Sequence, residues 1–130
     1  MKKPIPYGGQ FIDKKDIKLV STAVRESLIS NGNSSKKFEK KICEYLKVKY
    51  SIACNSGTSA LYLALKAAQV CKNDVIIMPN VNFIASYNMC KILNAKVYLA
   101  DIDENTGQMT PDTLKKCIVD NKLKKIKAVI

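Results

Sequence analysis

Residues 75–78 read Val-Ile-Ile-Met, set between Lys72-Asn73-Asp74 and Pro79. Four apolar side chains in a row leave no polar face for water, so as a strand this run must be covered on both sides. Pro79 has no N–H to give a ladder and marks its end. A strand of this kind calls for neighbours in a parallel sheet and for helices above and below it. The flanking sequence offers both.

Helical spacing appears five times. Asp13 caps a predicted helix from Lys14 to Ile29, with Ile17, Val20, Val24 and Leu28 on one face. Ser35 opens a second helix to Leu46, carrying Phe38, Ile42 and Leu46. Further helices are predicted over 59–70 as a largely buried element, over 84–93, and from Thr110-Pro111-Asp112 to Val119, the last with proline at its first helical position. Between them stand the apolar stretches YSIAC (50–54), VIIM (75–78), KVYLADID (96–103) and KIKAVI (125–130), which read as strands. SNGNSS (30–35), NVNF (80–83) and ENTGQ (104–108) are loops and turns. This alternation predicts an α/β fold with a mostly parallel sheet and flanking helices over 50–130, preceded by an N-terminal helical segment over 1–49. An apolar last strand with nothing after it predicts the first part of a larger protein, with an uncovered sheet edge that favours association.

Composition narrows the function classes. At 47% apolar and 25% charged residues, the 130-residue chain has the make-up of a folded protein. No run approaches the roughly 18 apolar residues of a membrane span. The opening MKKPIPYGGQ has no apolar signal core, so a cytoplasmic protein with no membrane partner is expected. Histidine is absent, which excludes a histidine triad, a histidine base and most zinc sites within this chain. The net charge of +11 comes almost wholly from lysines, with Arg25 the single arginine. They are scattered over several elements, as on a solvated surface or in a field that draws an anionic substrate. No nucleic-acid motif accompanies them, and no nucleic-acid partner is expected. The five cysteines include no Cys-x-x-Cys pair and are expected as buried free thiols, Cys54 among them at the end of a buried strand.

CNSGTSALYLAL (54–65) carries the chemistry. Gly57 permits a tight turn into the helix, and Thr58 and Ser59 are capping residue types. A helix start offers unpaired N–H groups and the positive end of the macrodipole, so two added hydroxyls make either an ordinary capped helix or a phosphate cradle. No Gly-Lys-Ser/Thr follows and no Gly-x-Gly-x-x-Gly is present, which disfavours nucleotide triphosphate and dinucleotide readings.

Five segments in order, IPYGGQFIDKKDI (5–17), KKFEKKICEYLKVKY (36–50), CNSGTSALYLAL (54–65), VIIMPNVNFIASYNM (75–89) and AKVYLADIDENTGQMTPDTL (95–114), resemble the N-terminal part of the DegT/DnrJ/EryC1/StrS family of pyridoxal-phosphate-dependent sugar-nucleotide aminotransferases. The resemblance implies the N-terminal part of the large domain of a fold type I transferase that binds pyridoxal 5'-phosphate. It assigns Thr58 and Ser59 to the cofactor phosphate, with Gly57 allowing close approach, and Phe83 to stacking on the pyridine ring. From the residues alone, Phe83 would read as a core residue after a loop.

The same resemblance places Tyr7 and the loop with Ser30, Asn31 and Gly32 along the sugar-nucleotide pocket. Tyr7 pinning the N-terminal arm, and Ser-Asn-Gly acting only as a helix stop, are the plain alternatives. NGNSSKKFE stands where the family commonly has Gly-Pro and an aliphatic residue, so the finer substrate contacts are not carried over. Asp101 and Asp103 sit where α/β sites often lie, but before ENTG they read as turn residues. The cofactor-bearing lysine and the carboxylate against the pyridine nitrogen lie further along in the family than residue 130. No catalytic residue is therefore assigned, and the 130 residues alone are expected to be inactive.

The implied full activity moves an amino group from an amino-acid donor, glutamate, to a keto sugar on a nucleotide, for surface glycans, in a homodimer. The alternatives are a dehydratase relative of the same cofactor class, or a non-catalytic basic binding module with salt-dependent partners.

Overall fold

The computed structural model describes residues 5–6, 8–30 and 32–130. The chain divides into two compact units, Met1–Ala53 and Cys54–Ile130.

The first unit holds α1 (Lys14–Ala23) and α2 (Asn33–Leu46). Asp13 caps α1 by accepting from the Lys15 and Asp16 N–H groups, and Asp16 returns the bond to the Asp13 N–H, a capping box. The helix stops six residues short of the expected Ile29. Past Val24 the Arg25 and Glu26 N–H groups reach only three residues back, to Thr22 and Ala23, so the last turn tightens instead of propagating. β-Branched Thr22 and Val24 favour that ending. α2 starts two residues earlier than the sequence suggests, with Gly32 at its N-cap. Ser34 Oγ donates to Glu26 Oε1 at 2.9 Å, and the Ala53 N–H donates to Glu39 Oε1 at 2.8 Å. No residue of either helix is buried. Leu19, Val20 and Ala23 share one open groove with Phe38.

In the second unit, α3 (Gly57–Ala67) precedes β1 (Val75–Pro79), α4 (Ile84–Ile92), β2 (Lys96–Ala100), α5 (Pro111–Asp120) and β3 (Ala128–Val129). The sheet is parallel in the order β2-β1-β3, so the Val-Ile-Ile-Met run is its central strand. Strand alternation then sorts its side chains. Ile76 and Met78 join Leu65, Val70, Cys90 and Ala95 under α3 and α4, whereas Ile77 joins Ala100 and Cys117 under α5. The expected α/β architecture, a parallel sheet with helices on both faces, is the one observed.

α3, α4 and α5 end in one way. Gln69, Asn94 and Lys122 take left-handed backbone with φ of 56°, 56° and 51°. The next N–H, of Val70, Ala95 or Leu123, returns to the carbonyl of Leu65, Cys90 or Ile118. These are Schellman endings, and each places an apolar residue back on the core that its helix covers. None has the glycine that usually announces such an ending. α5 begins as the sequence suggests, with Thr110 and Thr113 forming a capping box around Pro111.

Four further expectations change. Residues 50–54 form no strand, and Tyr50 and Ile52 are 75% and 77% exposed. An extended apolar segment becomes a strand only where a sheet edge accepts its ladder. α3 is not largely buried; Leu65 is its buried residue, and Leu63 lies half exposed. β2 ends at Ala100 rather than residue 103, because Asp101 and Asp103 turn the chain with their carboxylates. Finally, Cys90 and Cys117 are buried thiols, but Cys43 is half-buried and Cys54 and Cys71 are exposed. Cys54 follows an irregular segment, and Cys71 lies in the turn between α3 and β1.

That turn is clasped by Asp74, whose Oδ2 accepts from the Cys71 N–H at 2.9 Å and from Cys71 Sγ at 3.3 Å. The two bonds hold the Asp74 carboxyl below its ordinary range, and the same carboxylate pushes the Cys71 thiol up. The Asp74 contribution is present above the unfolded carboxylate pKa and fades as pH falls through the lowered one. The Cys71 contribution is present below the ordinary thiol pKa and fades as pH rises through the raised one. Asp74→Asn is therefore expected to shift the alkylation profile of Cys71 to lower pH, read by peptide-resolved mass spectrometry with iodoacetamide. An unchanged profile would show that Asp74 does not control this thiol.

Candidate functional site

The start of α3 is built by Ser56, which the sequence reading passed over. Its extended backbone (φ −161°, ψ 160°) makes it the N-cap, and its Oγ accepts the Ser59 N–H at 3.2 Å. Serine before Gly-Thr-Ser and an apolar helical run is the signal that could have found it. Gly57, Thr58 and Ser59 are thus the first three helical residues, not the cap. Ser56 satisfies the third N–H, and the N–H groups of Gly57 and Thr58, in the first turn, have no intrahelical acceptor. Ser56 Oγ also donates to Ser59 Oγ at 3.2 Å, which holds that hydroxyl beside the helix end.

Gly57 serves by what it leaves open. Its φ is not left-handed, and a Cβ added there would meet no atom within 4 Å. The backbone is bare on that side, so an oxyanion can approach it closely. Thr58 and Ser59, half-buried, line one groove of 430 Å³ with Tyr62 and Leu63 of α3 and Met89 and Ile92 of α4. Two N–H groups, two hydroxyls and a positive dipole end fit a phosphate-sized anion.

Phe83 lies at the other end of the β1–α4 connection. It is the N-cap of α4 with no side-chain cap bond, and its own N–H donates to Asn82 Oδ1 at 2.7 Å. Its side chain is 71% exposed and joins neither core cluster of the described residues. With Asn80, Asn82, Tyr87 and Leu99 it lines a groove of 320 Å³ beyond the carboxyl end of β1. An exposed flat apolar face there can receive a heteroaromatic ring by offset stacking. The Phe83 groove and the Thr58–Ser59 groove are separate cavities with no shared lining residue.

Among the residues expected along a sugar-nucleotide pocket, Tyr7 and Asn31 lie outside the described residues. Ser30 is exposed, whereas Gly32 is buried against the preceding turn. A Cβ at Gly32 would collide with the Leu28 carbonyl oxygen, so packing alone accounts for a glycine here. Both belong to the first unit. Asp103 is a turn residue, as its sequence context suggests. Its Oδ1 accepts from the Thr106 hydroxyl and N–H and, with less effect, from the Asn105 N–H, and these bonds lower its pKa. Asp101 reaches across to Asn80, donor Nδ2 to Oδ1 at 2.9 Å. No cluster of metal-ligating side chains occurs among the described residues.

The chain is 34% identical over 117 residues to UDP-4-amino-4,6-dideoxy-N-acetyl-beta-L-altrosamine transaminase of Campylobacter jejuni subsp. jejuni serotype O:23/36 (strain 81-176), covering 90% of this chain and 31% of that one. It is 34% identical over 128 residues to GDP-perosamine synthase of Escherichia coli O157:H7, covering 98% and 35%. The PLP form of Spr1654 from Streptococcus pneumoniae superposes with a TM-score of 0.81 at 28% identity, over 88% of this chain and 29% of that one. The chain thus spans about a third of the length of these relatives. Residues 10–130 match the DegT/DnrJ/EryC1/StrS aminotransferase family, and the chain belongs to it.

Proposed function

We propose that this chain supplies the phosphate cradle and the ring platform for pyridoxal 5'-phosphate in an aminotransferase acting on a nucleotide-linked keto sugar. The observation that carries the reading is the open start of α3, where bare backbone at Gly57 adjoins the Thr58 and Ser59 hydroxyls. Family membership supports it, as do the names of the relatives, a transaminase of a UDP-linked amino sugar and a GDP-perosamine synthase.

Each residue then has a stated task. Gly57 and Thr58 donate backbone N–H groups to the phosphate, and the Thr58 and Ser59 hydroxyls complete its shell. Ser56 holds the Ser59 N–H and keeps the first turn wound without a ligand. Phe83 gives the pyridine ring a flat apolar face. Bound in this way, pyridoxal phosphate supplies the electron sink that lets an amino group change carbon. Residues 1–130 hold and orient it, while the lysine and the pyridine-facing carboxylate belong to the family pattern beyond Ile130. Glutamate as donor, a homodimer, a role in surface-glycan synthesis, Tyr7, Ser30, Asn31 and Gly32 at the sugar nucleotide, and a cytoplasmic location complete the reading. So does a division into a helical segment over 1–49 and a cofactor domain over 50–130. Among the described residues no helix is long and apolar enough to cross a membrane.

The test is binding. Titrating the purified protein with pyridoxal 5'-phosphate, followed by absorbance and 31P NMR, is expected to give saturable binding, weaker for pyridoxal without the phosphate. Phe83→Ala is expected to raise the Kd about three- to tenfold, in keeping with one lost stacking contact. Equal affinity for pyridoxal and its phosphate would remove the α3 cradle from the reading.

A further inference from the structure

Phe83 stands on a connection rather than inside a strand or helix, so its place must be fixed by contacts outside regular structure. β1 ends at Pro79, and the Asn80 N–H extends its ladder by one bond, to the Ala100 carbonyl at 2.9 Å. Beyond that point the backbone ladder stops and side chains take over. Asn80 Nδ2 donates to Asp101 Oδ1 at 2.9 Å, a charge-assisted bond across the carboxyl ends of β1 and β2. The same oxygen accepts the Ile102 N–H at 2.9 Å, so the carboxylate is itself held in place.

Two residues, Val81 and Asn82, separate this anchor from Phe83. Downstream, Phe83 is tied to α4, whose Ala85, Ser86 and Cys90 are buried. Asn80, Asn82 and Phe83 line the same groove, whereas Asp101 does not. We propose that Asp101 is a positioning residue for the ring platform: by fixing Asn80 it sets the start of the 80–83 connection and so the place of Phe83. The proposal rests on the reading of Phe83 as the ring contact. Removal of the carboxylate frees the connection at its upstream end, and each encounter with a ring must then order it again.

The experiment compares Kd values of the purified protein for pyridoxal 5'-phosphate and for inorganic phosphate, with far-UV circular dichroism to confirm folding. Asp101→Ala is expected to weaken pyridoxal phosphate about three- to tenfold, the size of one lost hydrogen bond, and to leave inorganic phosphate unchanged. Phe83→Ala combined with Asp101→Ala should lose no more than Phe83→Ala alone. Asp101→Asn keeps an acceptor oxygen for Asn80 and should recover most of the affinity. If Asp101→Ala fails to fold, Asn80→Ala removes the other partner and is read in the same way.

An Asp101→Ala variant that binds like the wild type, while Phe83→Ala is weakened, overturns the positioning role and leaves Phe83 as the ring contact. Equal loss for both ligands overturns it too, since general loosening would then be the cause. Wild-type binding by Phe83→Ala fails the underlying reading, and the proposal falls with it.

Discussion

Ile77→Ala is expected to lower the unfolding free energy of the second unit by about 2–5 kcal/mol, read from urea midpoints by circular dichroism. Ile77 is wholly buried on the central strand, opposite Tyr98 and Val129 in register. Its side chain fills the core beneath α5 with Ala100 and Cys117. Loss of its branched carbons removes both transfer energy and packing, because neighbours on rigid strands cannot close the gap. Native domains hold only about 5–15 kcal/mol in all, so a large share of the unit's stability is at stake. Val119→Ala, on an exposed position of α5, is expected to change stability by no more than about 0.5 kcal/mol. A change below about 1 kcal/mol for Ile77→Ala would contradict the central place of β1.

The second large effect belongs to the proposed anion cradle. The double variant Thr58→Ala/Ser59→Ala is expected to weaken pyridoxal 5'-phosphate by about 100-fold or more. Each hydroxyl donating to a charged phosphate contributes about 1.5–3 kcal/mol, and two are removed. Affinity for pyridoxal, which has no phosphate, should stay within about twofold. The fold should persist, because the cap of α3 is Ser56, which is untouched and still accepts the third N–H through its own oxygen. Equal loss for both ligands would point to a damaged helix start rather than a lost phosphate contact. Unchanged affinity for both would show that these hydroxyls do not face the phosphate.

Much of the fold was legible because its signals are local. Val-Ile-Ile-Met between turn residues and proline predicts a doubly covered strand, and it is the sheet's centre. Asp13 and Thr110 announce their helices by side chains that reach their own first turns. The helix ends after Ala67, Ile92 and Asp120 were less legible. Their left-handed residues are Gln69, Asn94 and Lys122, with no glycine to mark them. What selects those endings is the burial of Val70, Ala95 and Leu123 against the sheet, which depends on packing and not on neighbouring residues.

At the candidate site the same division holds. Gly57, Thr58 and Ser59 could be singled out because glycine and hydroxyl residues before an apolar run have a chemical meaning of their own. That Ser56 rather than Thr58 or Ser59 caps the helix depends on one backbone angle pair, which composition does not set. Asp101 looked like one of two turn residues in Asp-Ile-Asp. Its bond to Asn80 joins positions 21 apart in sequence, and only the parallel pairing of β1 and β2 makes them neighbours.

By itself, then, the sequence determined the α/β alternation, the central strand and the choice of Gly57, Thr58 and Ser59 as the oxyanion candidate, because each follows from residue types within a few positions. Tertiary structure alone decided that residues 50–54 form no strand, that Cys54 and Cys71 are exposed, and that Phe83 stands in the open beside an Asn80–Asp101 bridge. Those outcomes turn on which backbone groups find partners and which faces are covered, and neither can be read from neighbouring residues alone.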